Sequence, residues 1–151
     1  MPDDLDTQTQ LEASCRMEWE RIQLPQRSTA GAAGYDFYLP VPICVDENPM
    51  VIQTGIRCEM DPGWVLLLFP RSGLGYKCGF SLSNTVGVID EDYQYAANEG
   101  HISAKVYAAD QPISLRAGDR FMQGVFLPYG TALNGNNGGQ RKGGTGSTGL
   151  R

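Results

Sequence analysis

Three short stretches carry residue types that could act on an anionic, phosphorylated molecule. In GVIDEDYQY, Gly87 to Tyr95, an apolar run ends in Asp90, Glu91 and Asp92, and Tyr93 follows at once. One reading is a solvated hairpin tip, since Asp is common in turns. The other is a carboxylate that activates water, set beside a ring that shapes a pocket. In PRSGLGYKCG, Pro70 to Gly79, Ser72 precedes what reads as a short helical piece and is an N-cap candidate. The first turn of such a helix presents backbone N–H groups that suit phosphate oxygens. The last stretch, NGNNGGQRKGGTGSTG from Asn134 to Gly149, is too rich in glycine to form a core. Glycine lets backbone N–H groups converge, and Arg, Lys, Ser and Thr add donors. The segment therefore reads as a flexible arm that orders on an anion.

Composition limits what these stretches can belong to. The 151 residues fit one domain with a real core, and an apolar content of 41% excludes a chain that is disordered throughout. The formal net charge of −5 argues against a surface for nucleic acid, which needs clustered Lys and Arg. It leaves room for a small anion held by a few local donors. No apolar run approaches the roughly 20 residues of a membrane helix, and the longest, Trp64 to Phe69, is strand-sized. The start MPDDLDTQTQ has neither the basic nor the apolar region of a secretory signal. Cys15, Cys44, Cys58 and Cys78 form no C-x-x-C pair, and His101 is the one histidine that could join them. A zinc site is disfavoured, and free thiols in a reducing cytoplasm are expected. His101 reads as a surface residue, so Ser-His-Asp chemistry is disfavoured as well.

The elements that must position these residues read as strands. Residues 1–14 are polar and acidic, an N-terminal extension. LEASCRMEWERI fits either a helical face or a strand alternation. YDFYLPVPICV is aromatic and β-branched, with prolines that suit sheet edges. PMVIQTGIRCEM alternates with a break at Gly55, the DPG turn at Asp61 to Gly63 leads into WVLLLF, and HISAKVYAAD alternates again. LRAGDRFMQGVFLP turns at Ala117 to Asp119 into an apolar strand. Nine or ten short strands at this spacing indicate an all-β sandwich or barrel over residues 15–133, followed by the arm at 134–151.

Five segments, taken in order, resemble the trimeric dUTPase family, the deoxyuridine triphosphate nucleotidohydrolases. They are AGAAGYDFYLP (Ala30 to Pro40), PRSGLGYKCG, NTVGVIDEDY (Asn84 to Tyr93), GDRFMQGVFLP (Gly118 to Pro128) and RKGGTGSTG (Arg141 to Gly149). Each is weak or moderate alone, and the five together in this order are specific. The resemblance implies a Greek-key, jelly-roll-like β-barrel with one short helix after the second motif. It also implies a homotrimer whose active sites lie between subunits. The first, second and fourth motifs would come from one chain, the third from a neighbour and the arm from the remaining chain.

The reaction implied is dUTP plus water giving dUMP and pyrophosphate. Asp90 matches the family's catalytic Asp and would activate the water, leaving Glu91 and Asp92 structural or solvated. Tyr93 would pack on the deoxyribose and leave no room for a 2′-hydroxyl; its other reading is a core tyrosine. Asn84 and the backbone of Gly87, Val88, Ile89 and Asp90 would hydrogen-bond the uracil edge, with Ser103 facing the base. Close backbone approach at Gly87 would exclude the thymine methyl. Ser72 and Gly73 would hold the α- and β-phosphates, Arg71 would orient the site, and Gln123 would contact phosphate. Arg120 would pair with a carboxylate to fix strand ends, or else be a plain surface Arg. Arg141, Lys142, Gly143, Gly144, Gly146, Ser147 and Thr148 would close over the γ-phosphate. No protein cage for a metal is visible in the sequence. Mg²⁺ would ride on the triphosphate, with Asp36 reaching one of its waters, or serving as a turn Asp, or both. The expected setting is cytoplasmic, or phage- or virus-encoded and acting in a host cytoplasm.

Two departures from the family pattern stand out. Thr145 occupies the arm position where an aromatic normally stacks on the uracil, and QYAANE, Gln94 to Glu99, makes the loop after Tyr93 about five residues longer. Two other readings share this fold: a dCTP deaminase-like enzyme, whose added motif after PRSGLG is not seen, and a nucleotide-binding regulatory protein with weak or no hydrolysis.

Overall fold

Strict alternation of side chains decides most of the strands. In the computed structural model, which describes residues 20–135, 138, 139, 141 and 143, Ile52, Thr54 and Ile56 point inward from β4 (Met50–Ile56) while Val51, Gln53 and Gly55 point out. β8 (Ile102–Ala108) does the same with Ile102, Ala104, Val106 and Ala108. The remaining strands are β1 (Gln26–Arg27), β2 (Tyr35–Tyr38), β3 (Ile43–Val45), β5 (Trp64–Pro70), β6 (Phe80–Leu82), β7 (Gly87–Ile89), β9 (Ile113–Leu115) and β10 (Arg120–Pro128). The helix α1 spans Ser72–Cys78. LEASCRMEWERI falls mostly outside the described residues.

All strand pairs are antiparallel. They form a five-stranded sheet in the order β1-β2-β10-β5-β7, a three-stranded sheet β4-β8-β6 and the pair β3-β9. One core joins all three, with Phe37, Leu66, Leu68, Phe121 and Met122 meeting Ile52, Phe80, Leu82, Ile102, Val106, Val45 and Leu115. The fold is the expected all-β jelly roll, but its sheets do not close into a barrel. The chain between β2 and β3 carries Pro40 and Pro42, which have no N–H to donate, so the ladder stops there. YDFYLPVPICV is thus two strands, and β2 is an inner strand rather than an edge.

The break expected at Gly55 is a bulge in the pairing of β4 with β8. Gly55 has φ +71°, and a Cβ there would collide with Ile22. The buried Thr54 hydroxyl fills the gap in the ladder: it donates to the Ile102 carbonyl (2.6 Å) and accepts from the Ile56 N–H (3.1 Å). His101 is not the plain surface residue expected. Its Nε2 accepts the Gly55 N–H at 3.0 Å and ties the bulge to the start of β8.

Cys44, Cys58 and Cys78 are free thiols, and burial, then the Glu59 charge, pushes the Cys58 thiol up. No helix of the described residues is long and apolar enough to cross a membrane.

Candidate active site

The first, second and fourth motifs converge on one buried carboxylate. Asp36, in the middle of β2, is 7% exposed. Its Oδ1 lies 3.4 Å from Arg71 Nε and its Oδ2 accepts from Arg120 Nη1 at 3.2 Å. It is therefore neither a turn residue nor a spare carboxylate, since both oxygens face a guanidinium. β10 places Gln123 directly opposite Asp36 and Phe69. The Gln123 carboxamide leans over Gly34, where a Cβ would sit 2.5 Å from its Oε1. A side chain at Gly34 would therefore have to displace the end of the Gln123 side chain.

α1 begins from this cluster. Its N-cap is Arg71, with extended backbone (φ −70°, ψ 133°), and not Ser72 as expected. The Arg71 carbonyl accepts from the N–H groups of Leu74 and Gly75, both at 3.1 Å, while its own N–H donates to the Phe121 carbonyl at 3.1 Å. Ser72 and Gly73 are the first, exposed residues of the helix, where backbone N–H groups have no partner further back along it. A shallow hollow of about 250 Å³ opens between Pro70, Arg71, Ser72, Gly75 and Tyr76. Gly79, at φ +67°, ends the helix by donating to the Gly75 carbonyl.

The third motif is built on β7. This strand pairs with β5 on one side and is the last in its sheet, so its other edge faces outward. Gly87 and Ile89 point into the core and Val88 points out, 57% exposed. A Cβ on Gly87 would lie 2.9 Å from Leu68 Cβ. Close packing on β5 therefore requires a glycine here. Asn84 is exposed in the turn before β7, where Thr85 is held at φ +68°.

The three carboxylates divide their roles. Glu91 accepts the Gly63 N–H of the DPG turn, and its hydrogen bond, more than its charge, pushes the exposed Tyr129 hydroxyl up. Asp90 and Asp92, about half exposed, both grip Arg141. Arg141 Nε donates to Asp92 Oδ1 at 2.7 Å, Nη2 donates to Asp90 Oδ2, and the guanidinium lies 5.7 Å from the centre of the Tyr93 ring. The hydrogen bond to Asp92 and the two negative charges push Arg141 up, against burial. Tyr93 is 6% exposed, and its hydroxyl donates to the His101 carbonyl at 3.1 Å and accepts from Asn98 Nδ2 at 2.9 Å. No spacing or motif marks Asn98, which sits in the lengthened loop, or the Glu91–Gly63 tie.

Some expected partners are not brought together. Ser103 lies in the sheet of β4 and β6, opposite Gln53, and not in the sheet of β7. Lys142, Gly144, Gly146, Ser147 and Thr148 lie outside the described residues. No group of three or more metal-ligating side chains occurs among the described residues. Asp36 faces two arginines, and Asp90 and Asp92 face Arg141.

The two halves of the site also lie at opposite ends of one strand. Ile89 pairs with Leu66 near the start of β5, so Asp90 follows toward Val65, whereas Ser72 lies beyond the far end at Pro70. At the rise of an extended strand the two are separated by on the order of 20 Å.

A family model described as dUTPase matches residues 20–149. A deoxyuridine 5'-triphosphate nucleotidohydrolase of Lactococcus lactis is 38% identical over 133 residues, covering 85% of this chain and 89% of its own. The dUTPase of Streptococcus mutans superposes with a TM-score of 0.67 at 42% identity, covering 77% of this chain and 91% of its own. A mutant dUTPase from phage phi11 of Staphylococcus aureus, in which a structural Mg(II) ion is coordinated, has a TM-score of 0.64 at 20% identity and covers 78% and 90%, a likeness of fold. By the extent of the family match and the identity to these relatives, the chain belongs to the dUTPase family.

Proposed function

We propose that this protein hydrolyses dUTP to dUMP and pyrophosphate, as a homotrimer with sites shared between chains. The observation that carries the reading is the match along residues 20–149 to proteins named for this hydrolysis, at about 40% identity. Geometry supports the sharing, because Asp90 and Ser72 are a strand's length apart in one chain.

Asp90 of one chain takes a proton from water as the water oxygen attacks the α-phosphorus. The bond from that phosphorus to the bridging oxygen breaks, and pyrophosphate leaves with the electron pair. Ser72 and the N–H groups of Ser72 and Gly73 of another chain hold the α- and β-phosphates, with Arg71 and Gln123 beside them. Arg71 is held by Asp36, so it is already oriented when the anion arrives. The outward edge of β7 offers backbone donors and acceptors to uracil, and Asn84 stands beside it. Cytosine presents the opposite pattern and leaves those groups unmatched. Tyr93 faces the deoxyribose, and Ser103 is the least supported base contact, given its sheet. Arg141 closes on phosphate with the rest of the arm, Lys142, Gly143, Gly144, Gly146, Ser147 and Thr148. Arg141 on Asp90 would compete with the water's proton, so the arm must leave its own acidic turn to serve a site. Mg²⁺, when bound, would ride on the triphosphate and offset its negative charge.

Steady-state pyrophosphate release tests this with dUTP, dCTP, dTTP and UTP, with and without Mg²⁺. Turnover of dUTP alone is expected, and Asp90→Asn should lower kcat by about 10²–10⁴-fold while dUTP still binds. Binding of dUTP without cleavage by the unaltered protein would instead make it a regulatory binder, and ammonia from dCTP a deaminase.

A further inference from the structure

The lengthened loop after Tyr93 is a closed excursion. It opens with a 3₁₀ turn at Tyr93–Tyr95, in which Ala96 donates back to the Tyr93 carbonyl (3.0 Å), and then buries Ala96. Glu99 and Gly100 adopt positive φ (59° and 75°), which turns the chain back on itself. Its ends then meet: a Cβ on Gly100 would lie 2.7 Å from the Gln94 Cα. One side chain of the excursion reaches back toward the site. Asn98 Oδ1 accepts the Gly100 N–H at 3.2 Å, which fixes the carboxamide, and Nδ2 donates to the Tyr93 hydroxyl at 2.9 Å. The hydroxyl is thereby held at two points, with the His101 carbonyl (3.1 Å) as its acceptor.

We propose that Asn98 is a positioning residue for sugar discrimination, its carboxamide fixing the Tyr93 ring so that the ring rejects a 2′-hydroxyl. This deepens the dUTP reading and rests on it. UTP differs from dUTP by one oxygen, and packing alone rejects an added hydroxyl only modestly, by about 10² in comparable pockets. Any play in the ring is therefore read directly as acceptance of UTP. The Arg141 guanidinium lies over the Tyr93 ring, 5.7 Å from its centre. The far end of the ring is where Asn98 acts.

The experiment is the ratio of kcat/KM for dUTP to kcat/KM for UTP. Asn98→Asp keeps the acceptor for the Gly100 N–H and removes the donor to Tyr93. A second variant deletes residues 95–99 and joins Gln94 to Gly100, whose approach makes the join short. In both, the ratio should fall by about threefold to tenfold, the worth of one hydrogen bond, through improved use of UTP. Tyr93→Phe removes both of the hydroxyl's hydrogen bonds and should lower it at least as much, and adding Asn98→Asp to that variant should change it no further. A purely structural role would slow both substrates alike. An unchanged ratio in variants that still turn over dUTP overturns the inference alone, as does an additive effect in the double variant. Failure of the unaltered protein to cleave dUTP overturns the parent reading and this inference together.

Discussion

Asp36 shows how a single buried charge can orient two arginines. Its carboxylate meets Arg71 and Arg120, whose side chains remain 32% and 42% exposed. Removing one partner of a fully buried pair costs about 3–5 kcal/mol. Here water can reach both guanidinium groups, so Asp36→Ala should cost only about 1.5–3 kcal/mol, the range for hydrogen bonds to charged groups. Urea midpoints measure that, and KM for dUTP should rise because Arg71 loses its orientation. A variant with an altered midpoint and an unaltered KM would separate the carboxylate from substrate binding. Thr145, outside the described residues, makes a different residue-scale prediction. Base stacking on an aromatic is worth about 1–3 kcal/mol, so Thr145→Phe should tighten the apparent affinity for dUTP by about tenfold. Unchanged kinetics would remove the arm from above the base.

At the scale of elements, the packing of β5 on β7 is set by one missing atom. A Cβ at Gly87 meets the Cβ of Leu68, an atom shared by every residue but glycine. Gly87→Ala should therefore destabilise the sheet by about 1–3 kcal/mol, and trimming Leu68 to Ala in the same chain should not restore the thermal midpoint. Recovery in that double variant would mean that the strands can part at little cost. Much of this architecture was legible in the chain. The alternation in β4 and β8, the break at Gly55 and the helix after Arg71 follow from local patterns that tertiary packing did not override. Three features were not legible. The prolines at 40 and 42 marked an edge in sequence terms, yet they cut one apparent strand into two. Ser72 looked like a cap because Ser favours that position, but the extended Arg71, fixed by Asp36 and Phe121, starts the helix one residue earlier. Gly87, His101 and Asn98 act through neighbours distant in sequence or inside an atypical loop, and no spacing rule reports such contacts.

At the scale of the molecule, β5 separates what the reaction must unite. If Asp90 of one chain serves the Ser72 of another, two crippled chains should complement each other. Asp90→Asn and Arg71→Ala proteins, each inactive alone, should regain activity when refolded together, with roughly a quarter of sites intact at equal mixing in a symmetric assembly. No recovery would place the whole site within one chain, against the strand's length. The same separation ties turnover to mass action. On the proposed reading an isolated copy would hold the base and the phosphate grip apart, so dilution below the dissociation constant of the assembly should abolish hydrolysis. Catalytic output would then rise more steeply than protein concentration, making the encounter of copies itself the switch.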